Sequence, residues 1–301
     1  MSVILLILPD FLLIALGWML LHKWRFTPTF FRELEKLVYF VLFPALLFYS
    51  ITRTPISLRD AYELLKATAL LTGAGIVLAW LAKPVLRPDP GAHASLSQTA
   101  YRFNTYLALS LAGGLGGNAQ TTIAILVGFA VPMVNVAAVH SLASQNRNGR
   151  VLVEILRNPL IIGTSLGLIW NLAQLPIPGA VDTTLGRLGQ CAIAIGLLCV
   201  GATLSLQAVK GHTAVMGWMV VVRLLIMPAI AIPIALWANI SPIERQALLL
   251  FAAVPTATSA HVLAARMGGQ PQLVAVTMSL GTVFSAVTIP IWLTIAANVL
   301  A

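Results

Sequence analysis

Two stretches interrupt the apolar pattern of this chain with residues that could hold a solute. Phe251-Ala-Ala-Val-Pro255-Thr-Ala-Thr-Ser-Ala-His261 sets a proline, Thr256, Thr258, Ser259 and His261 in the middle of an apolar run. Tyr101-Arg-Phe-Asn-Thr-Tyr106 does the same with Arg102, Asn104 and Thr105. Pro255 removes a backbone donor and crowds the preceding turn, which frees carbonyls that protein or a solute must satisfy. The competing reading is a kinked, packed helix with Asn104 bonded to a neighbour. The chemistry offered is binding, with a titratable group close by. His261 can take a proton near neutral pH or bond across helices. Asn135 and the hydroxyls of Thr256, Thr258 and Ser259 are oxygen ligands of the kind sodium accepts. Arg223, flanked by Val-Val and Leu-Leu, is either a substrate or gating residue or one half of a helix-packing ion pair.

Other chemistries find little support. An intramembrane hydrolase needs a Gly-x-Ser-x-Gly nucleophile with its base, or two intramembrane aspartates, and neither set is expected here. Cys191 and Cys199 are eight positions apart, about 12 Å along a helix, too far for a disulfide. They have no metal-ligand spacing, and no metal or cofactor is expected beyond coupling to H+ or Na+. Asp10, Glu33, Glu35, Asp60, Glu63, Asp89, Glu154, Asp182 and Glu244 are all the carboxylates. None is expected at the centre of a span, so proton antiport through a midplane aspartate pair is not expected.

These residues must be positioned by elements that live in lipid. The chain has 301 residues, 59% hydrophobic and only 9% charged, with a mean hydropathy of +0.92. A soluble domain is roughly 25% charged, so a soluble enzyme is excluded. The net charge of +9 does not point to nucleic acid, because the Lys and Arg residues sit singly between apolar runs as membrane anchors do. Met1-Ser-Val-Ile-Leu-Leu-Ile-Leu lacks a basic n-region and reads as a first membrane helix. Apolar runs and breakers place spans near 3–22, 37–52, 64–82, 98–116, 120–142, 156–174, 188–207, 214–237, 246–266 and 272–299. With the N-terminus outside, twelve Lys and Arg residues, Arg102 among them, fall on the cytoplasmic side and five outside. The positive-inside rule therefore favours both termini outside, against the local pull of Arg53, Arg59 and Lys66.

The breakers also repeat. Pro9 and Leu16-Gly17 recur as Pro159 and Leu166-Gly167, an offset of 150, and Gly116-Gly117 recurs as Gly268-Gly269, an offset of 152. Breaks are also expected near Pro44 and near Gly201. At the offset of 152, Pro255 maps onto Phe103 and Thr256 onto Asn104. The plan is five spans (1–143), a cytoplasmic linker (144–150) and five more (151–301), in opposite orientation because five is odd. Inverted repeats with paired interrupted helices point to a substrate site near the midplane.

With those residues on the page, the chain resembles the auxin efflux carrier family in its short bacterial form. The matching pieces are Leu37-Val-Tyr-Phe-Val-Leu-Phe-Pro-Ala-Leu-Leu-Phe-Tyr-Ser-Ile51, Arg157-Asn-Pro-Leu-Ile-Ile-Gly163, Leu197-Leu-Cys-Val-Gly-Ala-Thr-Leu-Ser205, Arg223-Leu-Leu-Ile-Met-Pro228 and Val254-Pro-Thr-Ala-Thr-Ser-Ala-His-Val-Leu-Ala264. They run in order over nearly the whole chain. The resemblance implies an all-α, bile-acid-symporter-like fold of ten membrane helices. Spans 1, 2, 6 and 7 would form a scaffold, and spans 3–5 and 8–10 a transport core with spans 4 and 9 crossing at their breaks. It implies a secondary transporter of small organic acids in the bacterial cytoplasmic membrane, in contact with lipid and dimeric through the scaffold. A channel or a non-transporting sensor is the alternative. Where the family often has a proline in span 4, this chain has Phe103-Asn104-Thr105.

If spans 4 and 9 cross as the resemblance implies, two half-helix N-termini, near Thr105 and Thr256, face one place. Each carries roughly half a positive charge and free N–H donors, which suits a carboxylate. Arg102 would add a full charge and a bidentate partner, or else it is a snorkelling cytoplasmic anchor.

Overall fold

The computed structural model describes residues 3–53, 58–143, 159–204 and 211–300, and all regular structure among them is helical. The expected linker at 144–150, together with Glu154, Arg157 and Lys210, lies outside the described residues. The chain opens with α1 (Val3–His22), α2 (Pro28–Leu37) and α3 (Phe43–Thr52). Next come α4 (Leu58–Leu86), α5 (Pro90–Leu96), α6 (Gln98–Tyr101), α7 (Thr105–Leu115) and α8 (Ala119–Ala143). The later part contains α9 (Pro159–Leu172), α10 (Gly179–Ala202), α11 (Thr213–Val221) and α12 (Met227–Trp237). It ends with α13 (Pro242–Ala253), α14 (Ser259–Arg266) and α15 (Pro271–Val299). Within the described residues, each apolar run read from the sequence falls on one of these helices or on a helix pair. Six stretches are long and apolar enough to cross a membrane uninterrupted: Pro28–Thr52, Leu58–Leu86, Ala119–Leu142, Gly179–Ala202, Thr213–Trp237 and Pro271–Val299. Leu8–His22 and Pro159–Leu172 are shorter apolar helices.

Two expected breaks take another form. Around Pro44 the helix does not stop. α2 passes into α3 through one wide π turn, Val38–Leu42, in which the Phe43 N–H bonds the Val38 carbonyl five residues back. The wide turn accommodates a proline that has no N–H and whose ring crowds the carbonyl one turn earlier. The same device precedes Pro228, where Val222–Ile226 is a π turn closed by the Met227 N–H on the Val222 carbonyl. Gly201 is not a mid-span break either: α10 begins at Gly179, earlier than expected, and ends one residue beyond Gly201. The glycine is there for contact. A Cβ at Gly201 would lie 1.8 Å from the Ile14 carbonyl oxygen, and one at Gly17 would lie 2.0 Å from that of Leu198. Small residues let the backbones of α1 and α10 touch, which is how helices associate where lipid removes the hydrophobic drive.

Packing follows a reciprocal scheme. α1 lies mainly along α10, and α9 lies mainly along α3. α8 is the most enclosed of the long helices, with 72% of its apolar window buried, and it touches α4, α7 and α13. Large apolar side chains such as Val77, Ile169 and Val287 face outward, as expected of a surface solvated by acyl chains.

Candidate crossover site

Two interruptions meet in the interior. α6 ends at Tyr101 and α7 restarts at Thr105, leaving Arg102, Phe103 and Asn104 outside helical structure. α13 ends at Ala253 and α14 starts at Ser259, with Thr258 in the N-cap position. The second restart therefore lies three residues past the expected Thr256. Pro255 explains the stop of α13, because it cannot continue the helix. In the first break Asn104 takes the N-cap position of α7, its side-chain oxygen accepting from the Leu107 N–H at 3.2 Å. Asparagine is among the strongest N-cap residues because it replaces a missing backbone partner.

The breaks are bonded to each other. The Asn104 N–H donates to the Pro255 carbonyl at 2.7 Å, and the Thr256 hydroxyl donates to the Thr99 carbonyl. The Gln98 side-chain amide donates to the Ala260 carbonyl at 3.1 Å. The rings of Phe103 and Phe251 pack in a tilted arrangement, 4.3 Å between centroids and 51° between planes.

Arg102 sits inside this crossing. It is only 6% exposed, so its placement among cytoplasmic anchors is corrected: the backbone turns inward at the break and carries the side chain with it. Its Nη1 donates to Ser259 Oγ at 3.1 Å and its Nη2 to Asn135 Oδ1 at 2.8 Å. Both partners are neutral, and among the described residues no carboxylate lies within ion-pair distance. Two donors two residues apart in the chain, Arg102 Nε and Asn104 Nδ2, are buried without an acceptor among the described residues. A guanidinium without a counter-ion and two unmatched donors together describe a place that favours an anion.

A family profile described as membrane transport protein matches residues 134–293. The chain belongs to this family, the auxin efflux carriers it resembles in sequence. It is 25% identical to the "Putative malonate transporter" of Rhizobium meliloti over 94% of its own length and 92% of that protein's. It is also 26% identical to an "Uncharacterized transporter" of Methanothermobacter thermautotrophicus, over 86% of this chain and 87% of the other. With its long apolar helices, this member of the transport family is a multi-pass membrane protein.

In this carrier the remaining nominated residues separate. Arg102, Asn104, Asn135, Pro255, Thr256 and Ser259 converge on the crossing, and Thr105 is the half-buried first residue of α7. Arg223 is engaged by backbone at the second break, and among the described residues it forms no ion pair. Projecting from the second π turn and 2% exposed, it donates from Nε to the Val254 carbonyl and from Nη2 to the Phe251 carbonyl, both at 2.7 Å. It thus caps the carbonyl end of α13 that Pro255 leaves open, where a cation also meets the negative pole of the helix. His261 bonds the Pro271 carbonyl through Nδ1 at 3.0 Å, which ties α14 to α15.

Sequence reasoning missed two carboxylates. Asp10, not expected at the centre of a span, is 6% exposed and accepts from the Ser110 hydroxyl of α7 at 2.5 Å. Glu35 accepts from the Thr258 hydroxyl at 2.8 Å. α2 and the π turn after it make a continuous helix that carries Glu35 inward, and no sequence spacing registers a contact across 223 positions. A letter match also needs correction: Gly163-Thr-Ser-Leu-Gly167 reads as a serine-nucleophile motif. It lies within the continuous helix α9 with Ser165 exposed, whereas that chemistry needs a sharp strand-to-helix turn. A cavity of about 300 Å³ is lined by Trp80, Lys83, Pro90, His93, Ala94, His140 and Ser141.

Proposed function

We propose that this carrier moves a small mono- or dicarboxylate across the cytoplasmic membrane by alternating access, with the solute bound where the two breaks cross. The observation that carries the reading is the buried Arg102 guanidinium, held by neutral Ser259 and Asn135 beside the unmatched Nε and Asn104 Nδ2. Buried charges are ordinarily paired, and a substrate carboxylate would supply the missing partner and accept from several of these donors together. The malonate named for the Rhizobium meliloti relative is a solute of this class. The protein acts as a transporter and not as an enzyme.

Ten spans in two inverted five-helix repeats provide the moving parts. The reciprocal packing of α1 on α10 and α9 on α3 supports the repeat, since exchanging span 1 for 6 and span 2 for 7 turns one contact into the other. Contacts between span ends support the grouping of those ends on shared faces that this plan requires. Arg53 pairs with Asp182, and Lys66 lies over the Trp237 ring, all on the proposed outer face. Gln270 bonds Asp89 on the proposed inner face. Spans 1, 2, 6 and 7 are the scaffold and the site of homodimer contact, and spans 3–5 and 8–10 are the core. Coupling to H+ or Na+ belongs to the crossing and its neighbour His261.

Purified protein in proteoliposomes tests the reading. Malonate raises the apparent melting temperature, as any ligand selective for the native state must, and radiolabelled malonate enters the vesicles with saturation and counterflow. Stabilisation without uptake identifies a sensor, and non-saturating flux identifies a channel.

A further inference from the structure

The cavity of about 300 Å³ lies where the last turns of α4 and α8 meet the start of α5. Lys83 is in the last turn of α4, His140 is in the last turn of α8, and Pro90 opens α5. Trp80 ties α4 to α8: its indole N–H donates to Ser141 Oγ at 3.2 Å, and its ring lies 6.0 Å from that of His140. α4 and α8 are both long enough to cross a bilayer, so their ends lie at the headgroup level, where tryptophan is at home.

The pocket is cationic. Lys83 forms no ion pair among the described residues. Asp89, the carboxylate closest to Pro90 in the chain, is engaged by neutral donors, the Ala92 N–H at 2.8 Å and the Gln270 amide at 3.3 Å. His93 is buried in the wall, and its Nε2 donates to the Ala79 carbonyl at 3.0 Å. Burial and the neighbouring Lys83 charge hold His93 below the ordinary histidine range, against the opposing pull of the Ala79 bond. Lys83 therefore supplies the fixed positive charge. Away from the helix ends, the same two helices turn apolar side chains outward. Val77 and Leu81 are exposed on α4, and Val136 is exposed on α8. Val77 stands one turn before Trp80 and Val136 one turn before His140, so each shares a helix face with a residue of the cavity.

We propose that this cavity is the headgroup site of an anionic phospholipid whose acyl chains lie along the exposed apolar faces of α4 and α8. Lys83 pairs with a phosphate oxygen, and the His140 ring donates a hydrogen bond beside it. A volume of about 300 Å³ is at the small end of ligand sites and holds a headgroup, while the apolar faces carry the chains. A soluble dicarboxylate could use the charge but would leave those faces without a role. Basic pockets between membrane helices on the cytoplasmic side take such headgroups, and these helix ends are on the proposed inner face. The site needs only the multi-pass architecture and is independent of the solute transported.

The test uses the whole purified carrier, stripped of lipid in neutral detergent, with native mass spectrometry and thermal unfolding as readouts. Phosphatidylglycerol should remain bound and raise the melting temperature saturably. Phosphatidylcholine with the same chains should bind at least about fivefold more weakly, and glycerol phosphate should have no effect. Lys83→Gln should weaken phosphatidylglycerol about fivefold, the share of one lysine at an anionic surface, and Lys83→Gln with His140→Gln should weaken it further. Both side chains are exposed, so the lipid-free melting temperature should not change. Lys23→Gln, just past α1, should bind as the wild type does. Equal binding of the two lipids makes the site an acyl contact and overturns the proposal. Equal stabilisation by glycerol phosphate makes it a soluble-anion site, which also overturns it. Phosphatidylglycerol selectivity unchanged in the double variant puts the lipid elsewhere and overturns it as well. None of these readouts uses malonate, so failure of the anion-carrier reading would leave them unchanged.

Discussion

The two breaks at the crossing are alike in outline and built on different chemistry. The first, Arg102-Phe103-Asn104, contains no proline. It is made by Asn104, whose side chain replaces a backbone partner at the start of α7, and its cation is turned toward neutral side chains. The second is made by Pro255, and its cation, Arg223, comes from another helix and is wholly engaged by the carbonyls of Phe251 and Val254. Two arginines of nearly equal burial, 6% and 2%, therefore do opposite things. One closes a helix end, and the other is held by neutral side chains alone among the described residues. Burial of a charge in a membrane span signals importance, but only the chemistry of its neighbours separates a structural role from a binding one.

The sharpest way to break this comparison is to remove each cation. Arg223→Leu deprives two buried carbonyls of hydrogen bonds from a charged donor, each worth about 1.5–3 kcal/mol. Removing the buried charge returns part of that loss. The expected outcome is a markedly lower melting temperature and a poor yield of folded carrier, read by fluorescence-detected size exclusion in detergent. Arg102→Leu should lower the melting temperature much less and leave insertion intact, since the loss of its bonds to Ser259 and Asn135 is offset by removal of a buried charge without a counter-ion. Malonate binding should weaken by about 2–5 kcal/mol, the range for removing one partner of a buried charge pair, or roughly 30-fold or more. Arg102→Lys should recover only part of it, because an ammonium cannot offer the planar fork. If the two substitutions exchange phenotypes, the assignment of roles is reversed.

The contrast between the breaks also shows what the sequence could convey. Proline and a cluster of hydroxyls in an apolar run are visible without any fold, so the second break and, through the repeat register, the first could be placed to within a few residues. Apolar runs similarly located most of the helices, because lipid leaves the backbone no alternative, but not α2 and α5, which lie before the runs that follow them. The partners were not visible. Arg223 reaches residues 28 and 31 positions away, and Glu35 reaches Thr258 across 223. The wide turns before Pro44 and Pro228 were hidden for a different reason. A proline in a helix can be absorbed by a break, a kink or a π turn, and local sequence does not choose among them. Asp10 and Glu35 were discounted on depth along their own segments, whereas depth in this fold is set by what packs against them.

The smallest expected effects separate the two ways of making a break. Asn104→Ala removes an N-cap, which costs about 0.5–2 kcal/mol, together with the buried Nδ2 donor that has no acceptor in the protein. The cap loss lowers the melting temperature by a few degrees, and the donor loss weakens malonate by about 1 kcal/mol, the worth of one hydrogen bond. Pro255→Ala should do less than either. Alanine restores a backbone N–H and could in principle let α13 run on. Continuation would, however, move the Val254 carbonyl away from Arg223, the Pro255 carbonyl away from the Asn104 N–H and the Thr256 hydroxyl away from Thr99. Three hydrogen bonds of about 1 kcal/mol or more each outweigh the helical turn gained, so the break persists and malonate affinity stays within a few-fold of wild type. A Pro255→Ala carrier that is folded but inert would mean that proline alone holds the second break open, and the capping role of Arg223 would then follow from the break rather than maintain it.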